Sequence, residues 1–312
     1  MKVQSVRYTP GGGSDLVDIE VGEPGRGEVQ IEVAACGICS WDLATFKAGS
    51  DSKYAAPPGH EGVGYVTKIG EGVRGFEIGD RVAGGGFQQV RNMHVRSVYK
   101  IPDSNLEDHH WVVEPASCVV TGIDHCNLKA GERLAMVGCG FMGLMMIQGL
   151  KGMGADQLVA LDVDQSRLDL ALEQGATEAW NVTDDGFEDV LADLRTRNFD
   201  VVVDTTGAQP GLDLATDIVK RGGKINLFGW LKGEVATFNP STWHGKGITI
   251  VNSSPSAAIR DPFPPAIRLM EKGIIDLKPL VTHVVPLEEY ASFMQGVTSG
   301  EVGGYIKGVV RL

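Results

Sequence analysis

Positive charge, cysteine and long apolar runs are all scarce in this chain of 312 residues. Its 28 Lys and Arg residues face 40 Asp and Glu residues, which gives a formal net charge of −12. A nucleic acid or an anionic membrane surface would repel such a chain on average, so we expect neither as a partner and expect a small molecule instead. The uncharged apolar stretch from Leu134 to Leu150 is shorter than the ~20 residues that span a bilayer, and its four glycines favour a buried strand that turns into a helix.

The five cysteines are too few and odd in number for a disulfide framework. The segment from Met1 to Gln4 runs directly into strand-like residues without a secretory leader. We therefore expect a reducing, cytoplasmic location.

The length predicts about two domains. Short alternating β-like segments, such as Val29 to Val33, fill the first hundred residues, and from about Cys118 strands alternate with helices. We predict an α/β protein with a mainly β catalytic domain (1–117 and 255–312) and a dinucleotide-binding Rossmann domain (118–254), whose sheet is doubly wound and parallel. Its predicted strands are 133–138, 158–161, 200–203, 224–228 and 247–251, with a weaker sixth near 179–182.

A glycine-rich turn follows the first of these strands. It consists of Gly138, Cys139, Gly140, Phe141, Met142 and Gly143, and precedes helix-compatible residues from Leu144 to Met153. In this motif the glycines permit a tight turn, the approach of a pyrophosphate and close packing of helix on strand. The phosphates would lie at the helix N-terminus, where free N–H groups favour anions.

Asp162 ends the next strand, nineteen residues after Gly143, close to the ~20 expected for the acid that binds the adenosine ribose. A carboxylate there repels a 2′-phosphate, so NAD is preferred to NADP. Arg167, five residues later, could weaken that preference. The helix from Gln165 to Gln174 is expected to be capped by Asp164 and ended by Gly175.

A second set of residues has the chemistry of metal ligands. Cys36 and Cys39 are followed by His60 and Glu61, and later by Glu114. A thiolate, an imidazole and a carboxylate suit a tetrahedral zinc with one position open, as in catalytic sites. On spacing alone, two cysteines of this kind with no second pair are more often a redox or incidental arrangement.

Several ordered motifs together resemble the zinc-dependent medium-chain alcohol and polyol dehydrogenases, including their sorbitol- and threonine-dehydrogenase-like members. The similarity covers essentially the whole chain, and it implies a GroES-like fold for the catalytic domain. The motifs are Gly37-Ile38-Cys39-x-x-Asp42, Gly59-His60-Glu61-Gly62-Val63-Gly64, Gly79-Asp80-Arg81-Val82, Glu114-Pro115 and the glycine-rich turn.

By this resemblance Cys39 and His60 are zinc ligands, and either Glu61 or Glu114 completes the inner shell. Asp42 resembles an acid that orients the zinc-binding histidine. Cys36 is expected to be a small buried residue.

Two departures from the family pattern are visible. Between Val82 and Ile101, where four closely spaced cysteines would hold a structural zinc, there are none, so we predict one zinc per chain. Trp41 and Ala44 occupy the usual positions of a hydroxyl and a histidine that relay a proton. Glu61 or Glu114 is our hypothetical proton carrier, and Trp41 is expected to line the pocket.

The resemblance implies hydride transfer between an alcohol (a polyol, a sugar or a related secondary alcohol) and NAD, with zinc as the Lewis acid. Thr121 is placed near the nicotinamide, or else starts a helix, and Thr205 ends the fourth strand near the cofactor. A homodimer or homotetramer is expected, since relatives often pair through the edge strand at 248–251. The alternatives are a zinc-free quinone or enoyl reductase of the same superfamily and a non-catalytic nucleotide-sensing protein.

Overall fold

The computed structural model describes residues 1–53, 55, 57–229 and 235–312. These residues divide into two compact units, Met1–Ala116 with Met270–Leu312, and Ser117–Leu269. The division differs from the expected domain limits at 255–269, which pack with the second unit. One reason is a two-bond ion pair in which the Arg260 guanidinium meets Asp124 at 2.6 and 2.7 Å.

The described residues form fifteen strands and nine α-helices. The strands are β1 (Lys2–Tyr8), β2 (Ser14–Glu20), β3 (Glu28–Gly37), β4 (Glu61–Ile69), β5 (Arg81–Ala83), β6 (Val90–His94), β7 (Tyr99–Lys100), β8 (Arg133–Val137), β9 (Gln157–Asp162), β10 (Glu178–Asn181), β11 (Phe199–Asp204), β12 (Val219–Leu227), β13 (Thr249–Asn252), β14 (Val281–Pro286) and β15 (Lys307–Arg311). The helices are α1 (Ser40–Ala48), α2 (Val113–Cys126), α3 (Phe141–Leu150), α4 (Gln165–Gln174), α5 (Phe187–Thr196), α6 (Gln209–Ile218), α7 (Pro240–Lys246), α8 (Phe263–Glu271) and α9 (Tyr290–Ser299).

The first unit is mainly β, as predicted. Strands β1 and β2 form an antiparallel hairpin, and a larger sheet has the order β14-β15-β3-β4-β5-β7, with β6 also pairing with β3. Within this sheet Gly37 lies opposite Glu61 of β4 and also opposite Val309 of β15. The end of β3 is thus flanked by two strands that are far away in sequence, and this register positions the site described below.

The second unit contains a six-stranded parallel sheet of order β10-β9-β8-β11-β12-β13. Numbered within the unit, this order is 3-2-1-4-5-6, the arrangement of dinucleotide-binding sheets. All six predicted strands are present, including the weak one, which forms β10. Fully buried apolar side chains such as Val159, Val202 and Ile225 build the core around the sheet.

Helix α4 has the bounds that its sequence predicts. The Asp164 side chain accepts from the N–H groups of Ser166 and Arg167, and Gly175 ends the helix with φ 127°. Helix α3 lies three residues earlier than the predicted range from Leu144 to Met153. It begins at Phe141, within the glycine-rich turn, and ends at Leu150. Gly152 has φ 79°, a conformation that does not continue a helix.

The stretch from Leu134 to Leu150 forms strand β8 and helix α3, as expected. Among the described residues, no α-helix has both the length and the apolar character needed to traverse a bilayer.

Candidate active site

Cys39 lies at the N-terminal cap of α1, directly after β3. Burial raises the pKa of its thiol to about 12, with Glu61 adding to the rise and Lys307 opposing it. The thiol alone would therefore stay protonated at neutral pH. A bound divalent cation is the kind of partner that makes such a sulfur a thiolate.

His60 and Glu61 stand at the start of β4, beside Cys39. The thiol sulfur, an imidazole nitrogen and a carboxylate oxygen of these three residues all lie within 4.8 Å of one another. Glu61 is buried, Cys39 is partly exposed and His60 is exposed. The group is therefore enclosed on the side of Glu61 and open to solvent on the side of His60.

This donor set fits a zinc ion. Zinc binds sulfur at about 2.3 Å and nitrogen or oxygen at about 2.0–2.2 Å, so the ligands of one tetrahedral ion lie about 3.5 Å apart. Small side-chain adjustments bring three atoms within 4.8 Å to that spacing. The structure thus brings Cys39, His60 and Glu61 together as expected, whereas the half-buried Glu114, in the first turn of α2, is outside the group. A ligand role for Glu114 stays a prediction.

Asp42 connects the two loops that carry the ligands. Its fully buried carboxylate accepts from the backbone N–H of Cys39 at 2.8 Å and of Gly59 at 3.1 Å. Burial raises the pKa of Asp42, and His60 and these two N–H groups oppose the rise. We expected Asp42 to orient the His60 ring; the bonds show that it holds the backbone next to Cys39 and His60.

Two tyrosines that the sequence analysis missed support this carboxylate. The hydroxyl of Tyr8 donates to Asp42 Oδ1 at 2.9 Å and lies 2.8 Å from the hydroxyl of Tyr290. Both side chains are buried. No spacing pattern could have identified them, because Tyr8 and Tyr290 are 34 and 248 residues from Asp42 along the chain.

Lys307 is a third missed residue, and it is almost fully buried. Its ammonium lies 2.5 Å from Glu61 Oε2 and donates to the carbonyl oxygen of Ile38 at 2.7 Å. Burial alone would lower the pKa of Lys307, but the attraction of Glu61 and Cys39 outweighs it and raises that pKa above its usual value. A lysine among the apolar residues of β15 was the available sequence signal.

The glycine-rich turn has the geometry expected of a pyrophosphate site. Gly138 has φ 95°, and a methyl group on Gly143 would overlap the Gly138 carbonyl oxygen. Gly140 is the N-cap of α3 without a capping side chain, and within the described part of the chain a methyl group there would meet nothing within 4 Å. Open space therefore lies at a helix N-terminus, the end of a helix that favours a bound anion. Phe141 and Met142 form the first turn of α3.

Asp162, the last residue of β9, accepts a hydrogen bond from the glycine-rich turn. Its carboxylate accepts from the N–H groups of Cys139 at 2.5 Å, Val163 at 2.8 Å and Asp164 at 3.0 Å. A carboxylate has about four acceptor positions, so three such bonds leave capacity for a ribose hydroxyl. Arg167 stands in the first turn of α4, 3.7 Å from Asp164.

The two threonines assigned to the cofactor both bond to nearby backbone. Thr205 Oγ1 donates to the carbonyl oxygens of Val137 at 3.2 Å and Gly138 at 2.8 Å, which fixes the first residue of the glycine-rich turn. Thr121 donates to the Ser117 carbonyl at 3.3 Å. It lies in the middle of α2, so the alternative that it starts a helix is wrong.

Two family models match this chain. The "alcohol dehydrogenase GroES-like domain" matches residues 25–103, and "zinc-binding dehydrogenase" matches residues 142–272. The first match lies in the first unit and includes Cys39 and His60. The second begins at Met142, near the end of the glycine-rich turn, and lies almost entirely in the second unit.

Similar whole proteins include L-threonine 3-dehydrogenases. The one from Shewanella loihica is 28% identical and the alignment covers 96% of this chain and 97% of that protein; for Paraburkholderia phytofirmans the values are 28%, 94% and 95%. Among solved structures, an Escherichia coli dehydrogenase of unknown specificity has a TM-score of 0.89 at 25% identity, covering 100% of this chain and 99% of that chain. The 2R,3R-butanediol dehydrogenase from Bacillus subtilis has a TM-score of 0.85 at 25% identity, covering 99% of both chains.

Proposed function

Because the chain belongs to the zinc-type medium-chain alcohol and polyol dehydrogenases, an oxidoreductase family that uses zinc and a nicotinamide cofactor, we propose that it oxidises a secondary alcohol with NAD at one zinc site. The observation that carries this proposal is the convergence of Cys39, His60 and Glu61 within 4.8 Å. A zinc-free quinone or enoyl reductase of the same superfamily would not need these three donors together.

The residues of the chain divide the work between binding and positioning. Cys39 and His60 would hold the metal from two loops, and Asp42 keeps those loops together through their backbone N–H groups. When bound, zinc supplies Lewis-acid polarisation of the substrate oxygen, and the nicotinamide ring accepts the hydride.

NAD is the proposed cofactor, in preference to NADP. The pyrophosphate would bind the N–H groups at the start of α3, in the open space beside Gly140. Asp162 would accept from the adenosine ribose and repel a 2′-phosphate. Arg167 Nε lies 3.7 Å from the Asp164 carboxylate, which offsets part of the positive charge that a 2′-phosphate would need.

Glu61 or Glu114 is the proposed proton carrier. Glu61 is one of the three converging donors and lies 2.5 Å from the Lys307 ammonium. A Glu114→Gln variant that retains zinc should show a changed pH–rate profile. An unchanged profile would remove Glu114 from this role.

The substrate class follows from the relatives' names. L-Threonine and 2R,3R-butanediol are both secondary alcohols with a second polar group on the adjacent carbon. We propose a substrate of this kind, including polyols and sugars. The test is NADH formation over a panel of L-threonine, 2R,3R-butanediol, polyols and sugar alcohols, each compared with 2-butanol, and with NAD and NADP as alternative acceptors.

The same panel separates the other functions. A zinc-free reductase would consume NADH or NADPH with quinones or enones and ignore the alcohols. A nucleotide-sensing protein would bind NADH without turnover of any compound. Alcohol-dependent NADH formation that stops when zinc is removed and returns when it is restored supports the proposed function.

The assembly and the location are also proposals. Strand β13 ends its sheet, so one side of it is available to pair across a homodimer or within a homotetramer, which light scattering would measure. The five cysteines, all of them within the described residues, form no disulfide bond, in keeping with the proposed cytoplasmic location.

A further inference from the structure

A buried ion pair lies directly against the candidate zinc ligands. Lys307 and Glu61 have side chains that are 4% and 2% exposed, and Lys307 Nζ lies 2.5 Å from Glu61 Oε2. The same ammonium donates to the Ile38 carbonyl, one residue before Cys39. One cation thus contacts both segments that carry the three ligands.

The fold makes room for this pair at a glycine. A methyl group built on Gly37 would overlap Glu61 Oε2 and approach Lys307 Cε at 3.1 Å. Gly37 ends β3, where β4 and β15 flank it, so the missing side chain opens a niche that both charged groups enter. Burying two charges is costly, and a hydrophobic pair of similar volume is often as stable. Stability alone therefore does not account for the pair, and its contact with the candidate zinc ligands indicates a function there.

We propose that Lys307 is a positioning residue that holds Glu61 by Oε2, so that Glu61 offers the metal one oxygen and a charge that is largely cancelled. This inference rests on the proposed function. A zinc ion with a thiolate, a neutral imidazole and a paired carboxylate keeps a net positive charge for the substrate oxygen. Without Lys307, the thiolate and a free carboxylate would neutralise the ion.

The proposal predicts an unusual direction for a buried-residue substitution. In Lys307→Met, Glu61 gains a free second oxygen and its full charge, so zinc should bind more tightly, by about tenfold or more, because a positive charge near the ion is lost. Turnover should fall at the same time. The visible absorption of the cobalt-substituted variant should weaken, because four-coordinate cobalt becomes five-coordinate when Glu61 binds it through both oxygens.

A purely structural role predicts the opposite direction, since loosened ligands bind zinc less tightly. The measurement is zinc affinity by competition with a chromophoric chelator, on full-length protein, with cobalt spectra alongside. Lys307→Arg should keep both properties within about threefold of wild type, because the charge is retained. Lys246→Met is the matched control: Lys246 also donates to backbone carbonyls, those of Thr216, Asp217 and Val219, but these bonds are partly buried and lie in the second unit.

If Lys307→Met alone does not fold, a second pair of variants tests the same proposal. Glu61→Gln leaves the Lys307 charge uncompensated and should weaken zinc binding, and adding Lys307→Met should restore it by about tenfold or more. Equal affinity in Glu61→Gln and the double variant would overturn the inference, as would unchanged or weaker binding in a folded Lys307→Met. Failure of the wild type itself to bind zinc would instead overturn the proposed function.

Discussion

In the second unit the candidate cofactor site is made of backbone, whereas in the first unit the candidate metal site is made of side chains. The nucleotide turn consists of consecutive residues, 138–143, and its partner Asp162 bonds to a backbone N–H. The metal site joins Cys39, His60 and Glu61 with the ion-pair partner Lys307, which is 246 residues from Glu61 along the chain. Its buried charges must compensate one another within the unit.

This difference determines how each site should respond to substitution. A backbone site fails when a side chain enters space that the backbone leaves open. A side-chain site fails when one charge or one ligand is removed and its neighbours are left unpaired. Substitutions at the metal site should also leave NADH binding intact, and substitutions at the cofactor site should leave zinc binding intact.

The largest effect is expected for Cys39→Ala. Loss of the thiolate should abolish stoichiometric zinc and lower alcohol-dependent turnover by about a thousandfold, since Lewis-acid polarisation contributes several kcal/mol. NADH binding, measured by fluorescence, should change less than twofold. Cys36→Ala is the matched control, because Cys36 is fully buried and is not in the ligand group. Turnover of Cys39→Ala within tenfold of wild type would refute the ligand assignment.

Gly140→Ala should give the next largest effect, in the second unit. The backbone of Gly140 has φ −70°, and the added methyl group meets no atom of the described residues within 4 Å, so stability should be retained. The methyl group would instead occupy space for the pyrophosphate and raise the NADH dissociation constant by about a hundredfold. Zinc content should stay at the wild-type value.

Gly245→Ala is the control for that substitution, because Gly245 also has no neighbours within 4 Å but lies in α7. Normal NADH affinity in Gly140→Ala would show that the pyrophosphate does not approach this position.

Asp42→Asn returns to the first unit with a smaller expected effect. The amide cannot accept at both carboxylate positions, so the N–H of Cys39 or of Gly59 loses its partner and the ligand loops separate. Substitution of a residue that supports metal ligands in this way lowers metal affinity by about 10–100-fold. Asp108→Asn, at a more exposed aspartate that accepts from Tyr65, should change zinc affinity less than twofold. Equal affinities for the two variants would contradict the supporting role.

The smallest effect is a pH-dependent change of stability in the second unit. The Arg197 guanidinium bonds to Glu178 and lowers the pKa of that carboxyl, although burial opposes the shift. Because the pKa is lower in the folded state, the stabilisation is complete above about pH 4.5 and is lost as the pH falls through the folded value. Glu178→Gln should therefore cost about 1 kcal/mol at pH 7 and progressively less below pH 4.5.

Urea unfolding at pH 7 and pH 3.5 would measure this difference, with the exposed Glu173→Gln as the control. A cost for Glu178→Gln that is the same at both pH values would exclude the ion pair as its source.

The fold of the second unit was largely predictable because local patterns determine it. Periodicity identified all six strands, and capping residues gave the limits of α4. The boundary near residue 255 differs because it depends on a long-range contact, Arg260 with Asp124. For the metal group, motif resemblance identified Cys39, His60 and Glu61. Tyr8, Tyr290 and Lys307 were missed, because the tertiary packing of β1, α9 and β15, and not a sequence spacing, brings them to the site.

The central claim is that one thiolate, from Cys39, binds zinc together with His60. X-ray absorption spectroscopy of the zinc-loaded wild-type protein tests it most directly. The account predicts one sulfur scatterer at about 2.3 Å, with the remaining ligands nitrogen or oxygen at about 2.0–2.2 Å. A zinc shell with no sulfur, or with two sulfurs from Cys36 and Cys39, would contradict it.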